Sequence, residues 1–93
     1  MITVIKFGAT WCQPCVAMEP VMAELVSRYA QDDKIEIKQS DVDQEPELAA
    51  SWSVRSIPCV IVVDQQVAVW RKVGYVECNE IVEVIEKLKL TKL

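Results

Sequence analysis

The residues best suited to chemistry are Cys12 and Cys15, which lie where an apolar run gives way to a helical pattern. Two cysteines separated by two residues can close a small disulfide with each other. At a helix N-terminus, the first sulfur faces unpaired backbone N–H groups and the positive end of the helix dipole. Such settings lower a cysteine pKa from about 8.5 to roughly 3.5–7.5, and the resulting thiolate attacks disulfides. The pattern therefore indicates thiol–disulfide exchange.

A metal site is the main chemical alternative for this CxxC pair. Half of a zinc or iron–sulfur site needs further ligands, but the 93 residues contain no histidine and no second CxxC. An iron–sulfur cluster held between the CxxC pairs of two subunits stays open. We predict no metal and no bound cofactor, only a reversible Cys12–Cys15 disulfide.

The composition narrows the class of protein. A chain of 93 residues is long enough for one core, so we expect a single domain over 1–93. The net charge of −4 and the absence of a Lys/Arg cluster argue against nucleic acid as a partner. No apolar run reaches the roughly 20 residues of a membrane helix, and no signal-peptide pattern precedes the CxxC. We therefore expect a cytoplasmic protein with no membrane partner.

The spacing of apolar residues predicts the elements that position the cysteines. Strands are predicted at 2–7, 35–42, 59–63 and 67–73, and helices at 13–30, 43–52 and 77–88. The order β-α-β-α-β-β-α predicts an α/β protein with a four-stranded mixed sheet flanked by three helices. Pro20 lies inside the first helix and is expected to kink it.

Three features together resemble the thioredoxin family over essentially the whole chain. They are the segment Trp11 to Cys15 at a strand–helix junction, Ile57-Pro58 before a strand, and Gly74 after a hairpin. The resemblance implies the thioredoxin fold, with a cis Pro58 beside the CxxC. The chain lacks the strand and helix that precede this unit in full-length thioredoxins, so it resembles a minimal, glutaredoxin-sized version.

The resemblance also implies roles for the residues of the CxxC. Cys12 is expected to attack a substrate disulfide, and Cys15 to resolve the mixed disulfide that forms. Pro14, which most affects the family's redox behaviour, is present. Gln13 replaces the usual glycine and is expected on the substrate-binding rim.

A second set of residues is expected to bind the substrate. In the family, the loop that corresponds to Ile57 and Pro58 pairs through its backbone with an extended substrate peptide. Trp11 looks like the aromatic residue beside the nucleophile. Gly74 looks like the glycine that lets a partner's backbone approach.

Lys6 departs from the family, because many thioredoxins have a buried aspartate at this position beneath the cysteines. The family's proton route therefore cannot be transferred to this chain. Either the Lys6 amine reaches the sheet edge and pairs with a carboxylate such as Asp41, or it stays near the sulfurs and favours the Cys15 thiolate. The first arrangement is the one that we expect. Gln39 stands where the family often has the lysine that partners the aspartate.

Two further cysteines lie outside the motif. Cys59 follows Pro58 in an apolar strand and is expected to act as a small buried hydrophobe. Cys78 lies near the start of the last helix. We expect it to be partly exposed and the better target for oxidation.

These observations predict a thiol–disulfide oxidoreductase that acts mainly as a reductant of protein disulfides. The chain has no room for a nucleotide-binding domain, so a separate donor must reduce it again. That donor is expected to be a flavin-dependent reductase or another thiol carrier. We expect a monomer. The alternative is a redox-regulated binding module whose CxxC switches affinity for a partner without turnover.

Overall fold

The computed structural model describes residues 1–91 and contains the strands and helices that the apolar spacing predicts. The strands are β1 (Ile2–Gly8), β2 (Ile35–Asp41), β3 (Cys59–Asp64) and β4 (Val67–Val73). The helices are α1 (Gln13–Ala17), α2 (Glu19–Arg28), α3 (Pro46–Ser51) and α4 (Cys78–Leu90). The predicted order is confirmed, with α1 and α2 as the two parts of the first predicted helix.

Pro20 explains why the first helix is divided. A proline inside a helix lacks the N–H that would bond to the carbonyl four residues earlier. Met18 marks the break with φ −85° and ψ −4°, and Pro20 falls in the first turn of α2, where that bond is not needed. The expected kink is confirmed, whereas the predicted end at residue 30 lies beyond Arg28, the last residue of α2.

The sheet has the strand order β2-β1-β3-β4. Strand β1 runs parallel to β2 and antiparallel to β3, and β4 runs antiparallel to β3. The C-terminal end of β1 therefore lies beside the start of β3, with Phe7 opposite Cys59. This topology brings the CxxC, which follows β1, to the same end of the sheet as Pro58, which precedes β3.

The alternation of side chains along the central strands divides the core into two clusters. Val4 and Val60 face α2 and α4, whose inner residues include Leu25 and Ile85. Residues of the opposite parity in β1 and β3 form a smaller cluster that α3 covers; it contains Ile5, Phe7, Cys59, Ile61, Val63 and Ala49. Because successive side chains alternate between faces, Lys6 must lie on the same face as Val4.

Candidate active site

Cys12 and Cys15 form a disulfide at the N-terminus of α1, with their Cα atoms 5.2 Å apart. Cys12 is the N-cap of this helix, and its Sγ accepts a hydrogen bond of 3.3 Å from the Cys15 N–H. Both side chains are buried, Cys12 at 7% and Cys15 at 1% exposure. The expected position at a helix start is confirmed, and Cys12 is the more accessible residue of the two.

The loop before β3 packs against this disulfide. The peptide bond between Ile57 and Pro58 is cis, as the resemblance implies. Ile57 packs against the small apolar cluster that contains both cysteines. The Gly74 N–H donates a hydrogen bond of 2.8 Å to the Pro58 carbonyl, which ties the end of β4 to the loop. Three segments that are distant in the sequence therefore meet at one end of the sheet.

Trp11 stands at the exposed margin of the disulfide, with 67% of its surface accessible. Its indole Nε1 donates a hydrogen bond of 2.7 Å to Oδ2 of Asp43, just after β2. Gln13 and Pro14 are exposed in the first turn of α1. We call Trp11, Gln13, Ile57, Pro58 and Gly74 the outer side of the disulfide, although the Pro58 side chain is itself fully buried.

Lys6 lines a cavity that none of these five residues borders. Its side chain is buried, and its Nζ donates a hydrogen bond of 3.1 Å to the Cys15 carbonyl. The nearest described carboxylate partner is Glu19, whose Oε1 lies 4.0 Å from Nζ. The expected ion pair with Asp41 at the sheet edge is therefore wrong. The physical reason is that β1 is an interior strand and its alternation directs Lys6 towards α1 and α2.

Gly8 makes this arrangement possible. A Cβ at this position would lie 3.1 Å from Cys15 Cβ, 3.2 Å from Cys15 Sγ and 3.3 Å from Lys6 Cε. These distances are too short for an unstrained side chain, so Gly8 allows close approach between β1 and the resolving cysteine. We call Lys6, Gly8 and Glu19 the inner side of the disulfide.

A cavity of about 500 Å³ opens on the inner side. Its lining includes Cys15, Lys6 and Glu19, together with the side chains of Asp41 and Glu45. The Ser40 hydroxyl donates a hydrogen bond of 2.8 Å to Glu45 Oε1. Cys15 is therefore one of the residues that border this polar cavity. A larger cavity, of about 830 Å³, lies beside α3 and is not lined by either cysteine of the disulfide.

Sequence reasoning missed three residues of this site. Glu19 and Asp43 act as polar partners of Lys6 and Trp11, and their places depend on contacts between elements that are distant in the sequence. Gly8 follows the predicted strand at 2–7, and no role is predicted for it from the sequence. Its position directly after an apolar strand and before the CxxC was a signal that backbone and side chains approach closely there.

The two remaining cysteines are buried in the core. Cys59 is 1% exposed, and burial raises the pKa of its thiol. Cys78 is 8% exposed, and burial raises the pKa of its thiol, with a further increase from its hydrogen bond with Glu24. The expected role of Cys59 as a buried hydrophobe matches its position. The expectation that Cys78 is partly exposed is wrong, because it lies on the inner face of α4.

The family model for thioredoxin matches residues 1–87. Among curated proteins, the chain is 41% identical to a thioredoxin of Staphylococcus saprophyticus over 86 residues, which cover 92% of this chain and 81% of the relative. It is 37% identical to a thioredoxin of Staphylococcus aureus over the same shares of both chains. The chain belongs to the thioredoxin family. As a thioredoxin-like protein, it is a thiol–disulfide oxidoreductase, and its Cys12–Cys15 disulfide is suited to dithiol/disulfide exchange.

Solved structures agree with this thioredoxin assignment. The chain superimposes on thioredoxin-2 of a malaria parasite with a TM-score of 0.85 and 30% identity, covering 94% of this chain and 82% of the other. A mutant thioredoxin of Halobacterium salinarum gives a TM-score of 0.80 and 28% identity, over 92% and 73% of the two chains. The predicted thioredoxin fold is therefore confirmed.

One finding bears on the membrane. Within residues 1–91, none of the helices has both the length and the apolarity to span a bilayer.

Proposed function

We propose that this thioredoxin-like chain acts as a reductant of protein disulfides in the cytoplasm, as a monomer with one domain over 1–93. In the dithiol state, the Cys12 thiolate attacks one sulfur of a substrate disulfide, and the other substrate sulfur leaves with the electron pair of the broken bond. The Cys15 thiolate then attacks Cys12 and displaces the second substrate sulfur. The substrate gains two electrons, and the chain is left with the Cys12–Cys15 disulfide.

The observation that carries this proposal is the environment of the two sulfurs. The Sγ of Cys12 accepts a hydrogen bond from the Cys15 N–H at the helix start, an interaction that favours the thiolate. Both cysteines are buried, and Cys12 is the more exposed residue of the two. A substrate disulfide can therefore reach Cys12 first, and Cys15 is placed to resolve the intermediate.

The outer side is suited to an extended peptide. The cis Pro58 loop and the segment after β4 are joined by the Gly74 to Pro58 hydrogen bond, and Ile57 of the same loop packs against the cluster that contains Cys12. Gly74 has φ +99°, and nothing lies within 4 Å of where a side chain would begin, which leaves room for a partner's backbone. Trp11 and Gln13 border the same surface and would contact the residues that flank the substrate cysteine.

The return of electrons requires a second protein. In our proposal the donor is a separate molecule, because the Cys12–Cys15 disulfide that each turnover leaves must be reduced again. A flavin-dependent reductase or another thiol carrier can supply the two electrons. No resident cofactor is needed for the exchange itself, because the disulfide stores and releases the electrons.

Trapping the mixed disulfide tests the proposal. A Cys15→Ser variant keeps the attacking sulfur but cannot resolve the intermediate. Incubation with insulin whose disulfides are intact should therefore give a 1:1 adduct linked through Cys12. Dithiothreitol should release it. The Cys12→Ser variant is the matched control and should form no adduct.

Mass spectrometry of the adduct separates the outcomes. Linkage through Cys12, together with wild-type turnover of insulin in the presence of dithiothreitol, supports the reductase. Wild-type protein that leaves the insulin reduction rate unchanged, or an adduct linked through Cys59 or Cys78, would contradict it.

A further inference from the structure

The side chain of Lys6 is buried beside the redox disulfide. Burying an ammonium group costs free energy unless polar partners satisfy it. Lys6 has two such partners, the Cys15 carbonyl at 3.1 Å and the exposed Glu19 carboxylate at 4.0 Å. The exchange chemistry proposed above assigns no role to this cation.

The position of Gly8 shows how close Lys6 comes to the reacting sulfur. Cys15 Sγ and Lys6 Cε lie 3.2 Å and 3.3 Å from the same point, the place where a Cβ on Gly8 would stand. Lys6 Cε and Cys15 Sγ are therefore separated by no more than the sum of these two distances. The Nζ group is anchored on the carbonyl of the same cysteine. Lys6 thus holds its charge on the inner face of Cys15.

We propose that Lys6 stabilises the thiolate of Cys15 in the resolving step, and that Glu19 limits this effect by partly neutralising the cation. The inference rests on the proposed function, since it assumes that Cys15 is the resolving cysteine. Lys6 is a positioning residue in this account, because it acts through the charge on Cys15 and does not itself exchange electrons.

Four charged side chains, each from a different part of the fold, lie around Cys15. Lys6 on β1 is the cation, Glu19 belongs to α2, Asp41 ends β2 and Glu45 precedes α3. Helix α1 has no charged residue. Three carboxylates therefore border the cavity that leads to Cys15 and oppose its ionisation, whereas Lys6 is the cation described among the lining residues. The proximity of Lys6 to the sulfur makes it the group best placed to offset them.

The step balances with water as the proton acceptor. Cys15 Sγ–H gives its proton to water in the cavity, and the thiolate left behind faces the Lys6 ammonium. The thiolate then forms a bond to Cys12 Sγ, and the Cys12–substrate bond breaks with its electron pair on the substrate sulfur. The ammonium keeps its own proton throughout.

The pH profile of Cys15 alkylation tests the proposal. The Cys12→Ser variant leaves Cys15 as the thiol of the motif, and peptide mass spectrometry after iodoacetamide treatment reads Cys15 separately from other thiols. Adding Lys6→Met should move the Cys15 profile about one pH unit upwards, which corresponds to about tenfold less thiolate at neutral pH. Adding Glu19→Gln instead should move it downwards by a few tenths of a pH unit, because Glu19 is exposed and screened.

Lys38→Met is the matched control, since it removes the same charge from an exposed position on β2. Its profile should coincide with that of the parent. Coinciding profiles for Lys6→Met and the parent, in folded protein, would overturn the proposal. If Lys6→Met does not fold, Lys6→Gln, which keeps a polar group for the Cys15 carbonyl, is measured in its place: an upward shift supports the proposal, and no shift or a downward shift overturns it.

The assay also separates this inference from the proposed function. Alkylation needs no protein substrate and no electron donor, so the profile of Cys15 can be read whether or not the wild type reduces insulin. A chain that fails to turn over but shows both shifts would refute the reductase proposal and leave the Lys6 effect standing.

Discussion

The two sides of the disulfide present different environments to the sulfurs. The outer side offers exposed surface and backbone groups, with Trp11 accessible and Gly74 open to a partner. The inner side offers a buried ammonium from Lys6 and a polar cavity bordering Cys15. In our proposals, partner binding belongs to the outer side and stabilisation of the Cys15 thiolate to the inner side. Changes on one side should therefore affect one of these properties more than the other.

The largest expected effect comes from filling the inner side. In Gly8→Ala, the new methyl group would lie within 3.3 Å of side-chain atoms of Cys15 and Lys6, so these side chains must move by a few tenths of an ångström. We expect a loss of about 1–3 kcal/mol in the free energy of unfolding, the usual cost of an overpacked site. Urea denaturation of the oxidised protein measures this. The control is Gly74→Ala, which meets no atom within 4 Å and whose cost comes only from its positive φ.

The altered inner side should also be visible at Cys15. Gly8→Ala should change the pH profile of Cys15 alkylation, and Gly74→Ala should leave it as in the parent. A Gly8→Ala variant with parental stability and a parental profile would show that the inner side is not closely packed.

A smaller effect is expected on the outer side. Trp11→Phe removes the Nε1 donor of the hydrogen bond to Asp43 but keeps an aromatic ring. Because this hydrogen bond is exposed, its loss should cost no more than about 0.5–1.5 kcal/mol of stability. The rate of insulin reduction should fall by more than the rate with a small disulfide such as oxidised glutathione. Equal losses of rate with both substrates would contradict the proposal that the outer side binds protein substrates.

Most of the fold could be predicted from the sequence because its signals are local. The apolar runs of β1 and β3 identify interior strands, and Pro20 predicts the break that the structure places at Met18. The cis form of Pro58 was available only from the resemblance, because a minority of about 5–6% of X–Pro bonds are cis in folded proteins.

Two errors could have been avoided with periodicity alone. Lys6 and Val4 are both even-numbered residues of β1, so their side chains must lie on the same face of the sheet. Cys78, Ile81, Val82 and Ile85 follow the i, i+3, i+4, i+7 pattern of a buried helical stripe. The partners of Lys6 were beyond reach, because the Cys15 carbonyl and Glu19 meet it only through the packing of α1 and α2 on the sheet.

The most direct test of the central claim is the equilibrium reduction potential of the Cys12–Cys15 pair, measured against defined glutathione buffers. A reductant of protein disulfides should have a potential of about −270 mV, the value of thioredoxin. At such a potential, the Cys12–Cys15 dithiol readily gives its electrons to a substrate disulfide. Each shift of about 30 mV corresponds to roughly 1.4 kcal/mol for this two-electron couple. A potential of about −120 mV, which is that of a strong disulfide oxidant, would contradict the proposal that the chain is a reductant.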